Sequence, residues 1–130
     1  MDWKQCFIGK KVLVAEDDLV NQELMQDIFS LMGISIEIAK DGNEAVEKVK
    51  NGAFDLVLMD IRMPNKDGIQ ATKEIRSLEN GKQIPIFALT ASVLASDKEE
   101  IMSCGVTDFL SKPVDLQELR EKMAKVLLGA

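Results

Sequence analysis

The stretch Phe54–Asp60, FDLVLMD, decides the fold of this chain. Its centre, LVLM, is an uninterrupted apolar run, which is typical of a strand buried on both faces of a parallel sheet. A loop containing Pro64 and Gly68 follows it. Ligands bind at the carboxyl ends of the strands in such sheets. A carboxylate at that end, Asp60, therefore indicates a functional site.

Strand and helix patterns alternate five times around this segment, with short connections. The alternation predicts an α/β fold: a single doubly wound (βα)5 domain with helices on both faces of a five-stranded parallel sheet. Its strand order is expected to be 2-1-3-4-5, which is flavodoxin-like. The predicted strands are Lys11–Ala15, Ile34–Ala39, Phe54–Met59, Ile84–Leu89 and Asp108–Ser111.

Capping signals set the expected helix boundaries. Asp18 is expected to cap the first helix rather than bind a ligand, because Asp is a favoured N-cap residue. The third helix is predicted to begin near Gly68. Capping-box pairs mark the starts of the second, fourth and fifth helices: Asp41 with Glu44, Ser96 with Glu99, and Asp115 with Glu118. Gly33, Gly52 and Gly105 mark the ends of the first, second and fourth.

Length and composition favour one globular domain and exclude several function classes. The chain has 130 residues, 46% hydrophobic and 29% charged, with a net charge of −6. The negative charge argues against general nucleic-acid binding, which needs clustered cations. The chain has no histidine, which excludes histidine base catalysis and any phosphohistidine on this chain.

Residues 1–9 are interpreted as an N-terminal leader, with Trp3 and Phe7 docking on the surface of a domain that covers residues 10–130. The expected location is cytoplasmic. Cys6 and Cys104 form no CxxC pair and are expected to stay reduced. No apolar run approaches the roughly 20 residues that would span a membrane.

Polar residues end four of the predicted strands. Glu16 and Asp17 follow the first, Asp60 follows the third, Thr90 follows the fourth, and Lys112 follows the fifth. Three neighbouring carboxylates repel one another unless a cation is present, and Mg²⁺ prefers oxygen ligands. Asp17 and Asp60 are therefore predicted as direct Mg²⁺ ligands, with Glu16 acting through water. The main-chain carbonyl of Arg62 is predicted as a further ligand.

The same residues give the chain a resemblance to the receiver domain of two-component response regulators, from Lys11 to Leu128. The acidic pair Glu16-Asp17, LMDIRMPNKDG around Asp60, ALTA at Thr90 and SKP at Lys112 occur in the family's order. Each motif alone is weak, but the ordered set is specific. The stretches AEDDLVNQELM and DFLSKPVD resemble receivers of hybrid histidine kinases and phosphorelays.

The resemblance implies a mechanism and partners. Asp60 would take a phosphoryl group from a phosphohistidine on a histidine kinase or a phosphotransfer protein, with Mg²⁺ as cofactor and Mn²⁺ as a substitute. The domain would catalyse its own phosphorylation and slow dephosphorylation, and would otherwise not be an enzyme. Thr90 and Phe109 would switch conformation, so that the face made by helix 4, strand 5 and helix 5 controls an output domain or a downstream protein.

Further details come from the same resemblance. The Lys112–Pro113 bond is expected to be cis. Arg62 and Ser92 occupy positions that tune the lifetime of the phosphoryl group. No direct nucleic-acid or membrane contact is expected.

Three other functions fit parts of the pattern. A haloacid-dehalogenase-like phosphatase needs a second Asp two residues after the nucleophile, where this chain has Arg62. A flavodoxin-like cofactor module needs a phosphate-binding first loop, but the loop here, EDDLVNQ, is acidic. A degenerate interaction module would keep the fold and lose phosphorylation, although the complete acid set argues against it.

Overall fold

The computed structural model describes residues 6–91 and 95–129, excluding the side chains of residues 95 and 96. Interpretations that involve Trp3, Ser92 or the side chain of Ser96 lie outside the described residues. The strands are β1 (Lys11–Ala15), β2 (Ser35–Ala39), β3 (Leu56–Asp60), β4 (Ile86–Thr90) and β5 (Asp108–Ser111). The helices are α1 (Leu19–Leu31), α2 (Gly42–Asn51), α3 (Gly68–Ser77), α4 (Ala95–Ser103) and α5 (Leu116–Leu127), with a short 3-10 turn at Glu79–Gly81.

The five strands form one parallel sheet in the order β2-β1-β3-β4-β5, which confirms the predicted fold class and strand order. Every residue of β3 and β4 is buried, as expected for central strands covered on both faces. β1 and β3 are neighbours. The loops that follow these two strands therefore lie side by side at the carboxyl edge of the sheet.

Two apolar clusters cover the faces of the sheet. One packs α1 and α5 against the sheet and includes Val12, Phe29 and Leu119. The other packs α2, α3 and α4 against the opposite face and includes Leu13, Ile75 and Ile101. Burial on both faces fixes the sheet, and the carboxyl edge remains open to solvent between the helices.

Side-chain caps begin the helices much as the sequence predicts. Asp18 Oδ1 accepts from the backbone N–H of Val20 at 2.8 Å, which confirms it as the N-cap of α1. Asp41 accepts from the Glu44 N–H, and Asp115 accepts from the Glu118 N–H. In the first of these capping pairs the Glu44 carboxylate reaches back to the N–H of Lys40.

Phe7 lies in the core. Its side chain is fully buried in the cluster that contains Met25 and Phe29, so the prediction that it docks on the surface is wrong. A turn connects this residue to β1, in which the Lys10 N–H donates to the Phe7 carbonyl at 3.1 Å, and the ring packs in the same cluster as Met25 and Phe29 of α1. A domain boundary at residue 9 stays a prediction.

Candidate phosphoacceptor and metal site

The carboxyl edge of the sheet brings the predicted site residues together. A cavity of about 240 Å³ opens there. The predicted residues that line it are Glu16, Asp17, Asp60, Arg62, Thr90 and Lys112. Asn21 of α1 also lines this cavity, although it was not among the predicted site residues. The available signal was a polar residue in the first turn of a helix that follows the acidic pair.

Three carboxylates face one another in this cavity. One oxygen from each of Glu16, Asp17 and Asp60 lies within 4.8 Å of the other two. Glu16 is 2% exposed and Asp60 is 5% exposed, whereas Asp17 is exposed. Buried like charges at this distance need a cation. Oxygen donors of this kind suit a hard divalent ion, and Mg²⁺ typically takes one or two carboxylates. The donor set therefore fits Mg²⁺.

Lys112 supplies one cation from the other side of the cavity. Its Nζ lies 2.6 Å from Asp60 Oδ2 and 3.0 Å from Glu16 Oε2. Burial by itself would lower the pKa of Lys112, but its hydrogen bonds and the charges of Asp60 and Glu16 raise that pKa above its usual value. Lys112 is therefore charged at neutral pH and neutralises part of the acid cluster.

The backbone of the β3–α3 loop holds Asp60 in place. The N–H of Arg62 donates to Asp60 Oδ1 at 3.1 Å, and the N–H of Gly68 donates to the Ile61 carbonyl at 2.9 Å. A Cβ added at Gly68 would lie 2.2 Å from the Asp60 carbonyl oxygen. Only glycine allows this approach, so the start of α3 is fixed against the end of β3.

The β1–α1 loop holds the first acid in a similar way. The N–H of Asp18 donates to Glu16 Oε1 at 3.2 Å, and Gln22 Nε2 donates to the Glu16 carbonyl at 2.7 Å. Because Lys112 Nζ contacts Glu16 Oε2, both carboxylate oxygens of Glu16 have protein partners. Within the described residues, the Asp17 carboxylate has no hydrogen bond or ion pair, which leaves it available to a metal ion.

Thr90 and Phe109 stand in different relations to this cavity. Thr90 is 6% exposed and lines it, and its carbonyl accepts from the Lys112 N–H at 2.8 Å. Phe109 does not line this cavity. Its half-buried side chain packs against the apolar cluster between the sheet and helices α2, α3 and α4. The Lys112–Pro113 peptide bond is cis, as the resemblance implies.

Comparison with known proteins identifies the class to which this fold and site belong. Residues 12–124 match the model of the response regulator receiver domain. The chain belongs to this family and is a phosphoacceptor signalling domain. Family membership rejects the haloacid-dehalogenase-like and flavodoxin-like alternatives.

Curated relatives place similar domains inside longer signalling proteins. The chain is 42% identical over 121 residues to the hybrid signal transduction histidine kinase I of Dictyostelium discoideum, a match that covers 88% of this chain and 7% of the kinase. Response regulator mcs4 of Schizosaccharomyces pombe is 39% identical over 88% of this chain and 27% of its own length. The chain therefore spans a small part of the length of these two relatives.

Solved structures are similar over nearly the whole chain. The receiver domain of the sensor histidine kinase PA1611 from Pseudomonas aeruginosa PAO1 carries a magnesium ion coordinated in its active site cleft. It is 37% identical, with a TM-score of 0.87, and the match covers 94% of this chain and 99% of that one. No helix among residues 6–91 and 95–129 has the length and apolar character needed to cross a membrane.

Proposed function

We propose that Asp60 is the phosphoacceptor of this receiver domain and takes a phosphoryl group from a phosphohistidine donor. The observation that carries this proposal is the position of the Asp60 carboxylate at the end of the central strand. It lies within 4.8 Å of two further acids and 2.6 Å from Lys112 Nζ. An Asp carboxylate is an established nucleophile that forms acyl phosphates.

A divalent ion completes the site in this proposal. Asp17 and Asp60 hold Mg²⁺ directly, Glu16 holds it through water, and the Arg62 carbonyl is a further ligand. Mn²⁺ substitutes for Mg²⁺, because it also accepts oxygen ligands. The metal stabilises negative charge on the transferred group. Support comes from the three facing carboxylates and from the magnesium ion in the related PA1611 domain.

Two further residues of the cavity, Lys112 and Thr90, bind the phosphoryl oxygens. The Lys112 ammonium forms an ion pair with one oxygen, and the Thr90 hydroxyl donates a hydrogen bond to another. Movement of Thr90 toward the phosphoryl group is accompanied by inward rotation of Phe109. This changes the face formed by α4, β5 and α5, which controls an output domain or a downstream protein. The chain catalyses its own phosphorylation and slow dephosphorylation and turns over no separate substrate.

The donor approaches across α1 in this proposal. A phosphohistidine must reach Asp60, so its protein covers the mouth of the cavity. Leu19, Val20 and Leu24 are 72%, 73% and 50% exposed and belong to α1, the helix whose Asn21 lines the cavity. Exposed apolar patches mark protein interfaces. A related receiver domain, that of Ssk1 from Saccharomyces cerevisiae, was solved with the histidine phosphotransfer protein Ypd1. It is 34% identical, with a TM-score of 0.85, over 92% of this chain and 89% of that one.

The chain acts in the cytoplasm in this proposal, as one domain of a histidine kinase or as a separate regulator. Both cysteines are free thiols, and Cys104 is buried. Burial raises the pKa of the Cys104 thiol, which favours its protonated form. Free thiols agree with a reducing compartment.

Intact-mass measurement with a small phosphodonor, acetyl phosphate, tests the proposed function. We expect the wild type to gain one phosphoryl group in the presence of Mg²⁺ and to gain none in EDTA. Asp60→Asn should gain none with a preserved circular-dichroism spectrum. Asp27→Asn, which removes an exposed acid of α1, should behave like the wild type. No gain from acetyl phosphate or from a phosphorylated histidine phosphotransfer protein would indicate the degenerate interaction module instead.

A further inference from the structure

The ring of Phe109 carries two lysine ammonium groups, one from each helix that flanks β5. Lys98 Nζ of α4 and Lys122 Nζ of α5 each lie 5.3 Å from the ring centroid. This distance is within the range of a cation–π interaction, which is attractive because the face of the ring is electron-rich. Three elements that form one surface of the domain therefore meet at a single aromatic side chain.

The two lysines are held differently. Lys122 Nζ also donates to the Phe109 carbonyl at 2.7 Å and to Asp108 Oδ1 at 3.2 Å, so it is anchored to β5 whether or not the ring is present. Within the described part of the chain, the Lys98 ammonium makes no hydrogen bond or ion pair. The ring is therefore the partner that draws Lys98 toward β5.

A phenylalanine ring has no polar atom of its own. Its place at the surface depends on packing against the cluster beneath it and on the electrostatics of the ring. Two cations over the ring favour this half-buried position. If the ring turns inward, both ammonium groups lose the contact.

We propose that Lys98 and Lys122 form a cation–π latch that holds Phe109 in its surface position and so opposes phosphorylation-driven switching. The latch rests on the proposed function, since it regulates the response of the domain to phosphorylation at Asp60. The surface position of the ring then disfavours the phosphorylated state by the free energy of the cation–π contacts. By linkage, weakening the latch must strengthen binding of a phosphoryl group, or its mimic, at Asp60.

The size of the effect follows from the strength of the contact. A partly exposed cation–π pair contributes a factor of about two to five to an equilibrium. Removing the Lys98 ammonium should therefore shift the switch by about that factor. Lys98 is the cleaner site to change, because substitution of Lys122 also removes two hydrogen bonds.

Calorimetric titration with beryllofluoride, a phosphoryl mimic, in saturating Mg²⁺ tests the latch. We expect Lys98→Met to bind the mimic about two- to fivefold more tightly than the wild type, and Lys98→Arg to bind like the wild type. Lys125→Met removes an exposed lysine of α5 and controls for net charge. Equal affinity of Lys98→Met and Lys125→Met would overturn the proposal.

A variant of the ring separates the latch from a general charge effect. In a Phe109→Leu background, Lys98→Met should no longer change the affinity for beryllofluoride. A gain that persists in this background would overturn the proposal, because no π system remains.

Nuclear magnetic resonance of the resting protein tests the contact without any phosphoryl mimic. The ε-methylene protons of Lys98 should show an upfield ring-current shift that disappears in Phe109→Leu. Absence of this shift in the wild type would refute the latch. A wild type that shows the shift and binds no beryllofluoride would instead refute the proposed function.

Discussion

The two edges of the sheet differ in what their buried side chains do. At the carboxyl edge two carboxylates are buried, and Glu16 and Asp60 are held by Lys112 and by backbone N–H groups. At the amino edge the buried side chains are apolar, and Phe7 fills space beside Met25 and Phe29. Burying charge costs free energy, whereas burying apolar surface stabilises the fold. The carboxyl edge is thus arranged for chemistry, and the amino edge for stability.

Truncation at the amino edge should have the largest effect on stability. Phe7→Ala removes a fully buried ring and should lower the free energy of unfolding by about 3–5 kcal/mol. The measurement is urea unfolding followed by circular dichroism. At temperatures where the variant stays folded, Mg²⁺-dependent phosphorylation should match the wild type.

The neighbouring Ile8 provides the matched control. Its side chain is 62% exposed, so Ile8→Ala should change stability by no more than about 0.5 kcal/mol. A small effect of Phe7→Ala would contradict the assignment of stability to the amino edge, as would a loss of phosphorylation in the folded variant.

Removal of the cation at the carboxyl edge should have a smaller and metal-dependent effect. Lys112→Met leaves the buried Glu16 and Asp60 carboxylates without their shared partner. In EDTA at pH 7 we expect a loss of about 2 kcal/mol, because Lys112 is partly exposed and breaking a fully buried pair costs about 3–5 kcal/mol. Urea unfolding with and without Mg²⁺ measures this effect.

The response to the metal ion should also differ between Lys112→Met and the wild type. Saturating Mg²⁺ should stabilise Lys112→Met more than the wild type, because the ion then replaces the missing positive charge. The variant should still be phosphorylated, but phosphorylation should no longer alter the environment of Phe109. Lys82→Met, at an exposed ion pair with Glu79, should show no extra response to Mg²⁺. Equal Mg²⁺ stabilisation of the wild type and Lys112→Met would contradict the described charge balance.

The smallest effect is expected at Asp41, which links α2 to the β3–α3 loop. Its carboxylate accepts from the Glu44 N–H at 2.9 Å and from Asn65 Nδ2 at 2.7 Å. The bond from Glu44, followed by that from Asn65, lowers the pKa of Asp41. A lowered folded-state pKa stabilises the fold above the unfolded-state pKa, and this contribution is lost as the pH falls through the folded-state value.

The variant Asp41→Asn tests that linkage. Asparagine is also a good N-cap, so the loss at pH 7 should be roughly 0.5 kcal/mol or less. The difference from the wild type should shrink below about pH 4, as Asp41 becomes protonated. Chemical unfolding across pH 2.5–7 measures it, and a difference that grows toward acid pH would have the wrong sign.

Much of the fold follows from local signals in the sequence. β1 and β5 have the predicted bounds, because a charged residue directly follows the last residue of each strand. β4 begins at Ile86 rather than at Ile84. Pro85 has no N–H to donate, although its carbonyl accepts from the Val57 N–H. β3 ends one residue later than predicted, because Asp60 pairs with Leu89 of β4.

The sequence predicts which residues form the candidate site, but it does not predict the contacts between them. Strand order alone places Asp60 beside Glu16 and Asp17. The sequence does not show that Lys112 bonds both Glu16 and Asp60, because this depends on side-chain directions set by packing. Similarly, the burial of Phe7 depends on a turn at the start of β1, which hydrophobic periodicity does not encode.

We have proposed that Asp60, at the carboxyl edge of the sheet, accepts the phosphoryl group. The most direct test is to phosphorylate the wild-type chain in Mg²⁺, reduce any acyl phosphate with borohydride, and locate the product by peptide mass spectrometry. We expect homoserine at position 60 in the Mg²⁺ sample, and no reduction product in EDTA. Reduction at another carboxylate, or a product at position 60 that forms equally well without a divalent ion, would contradict it.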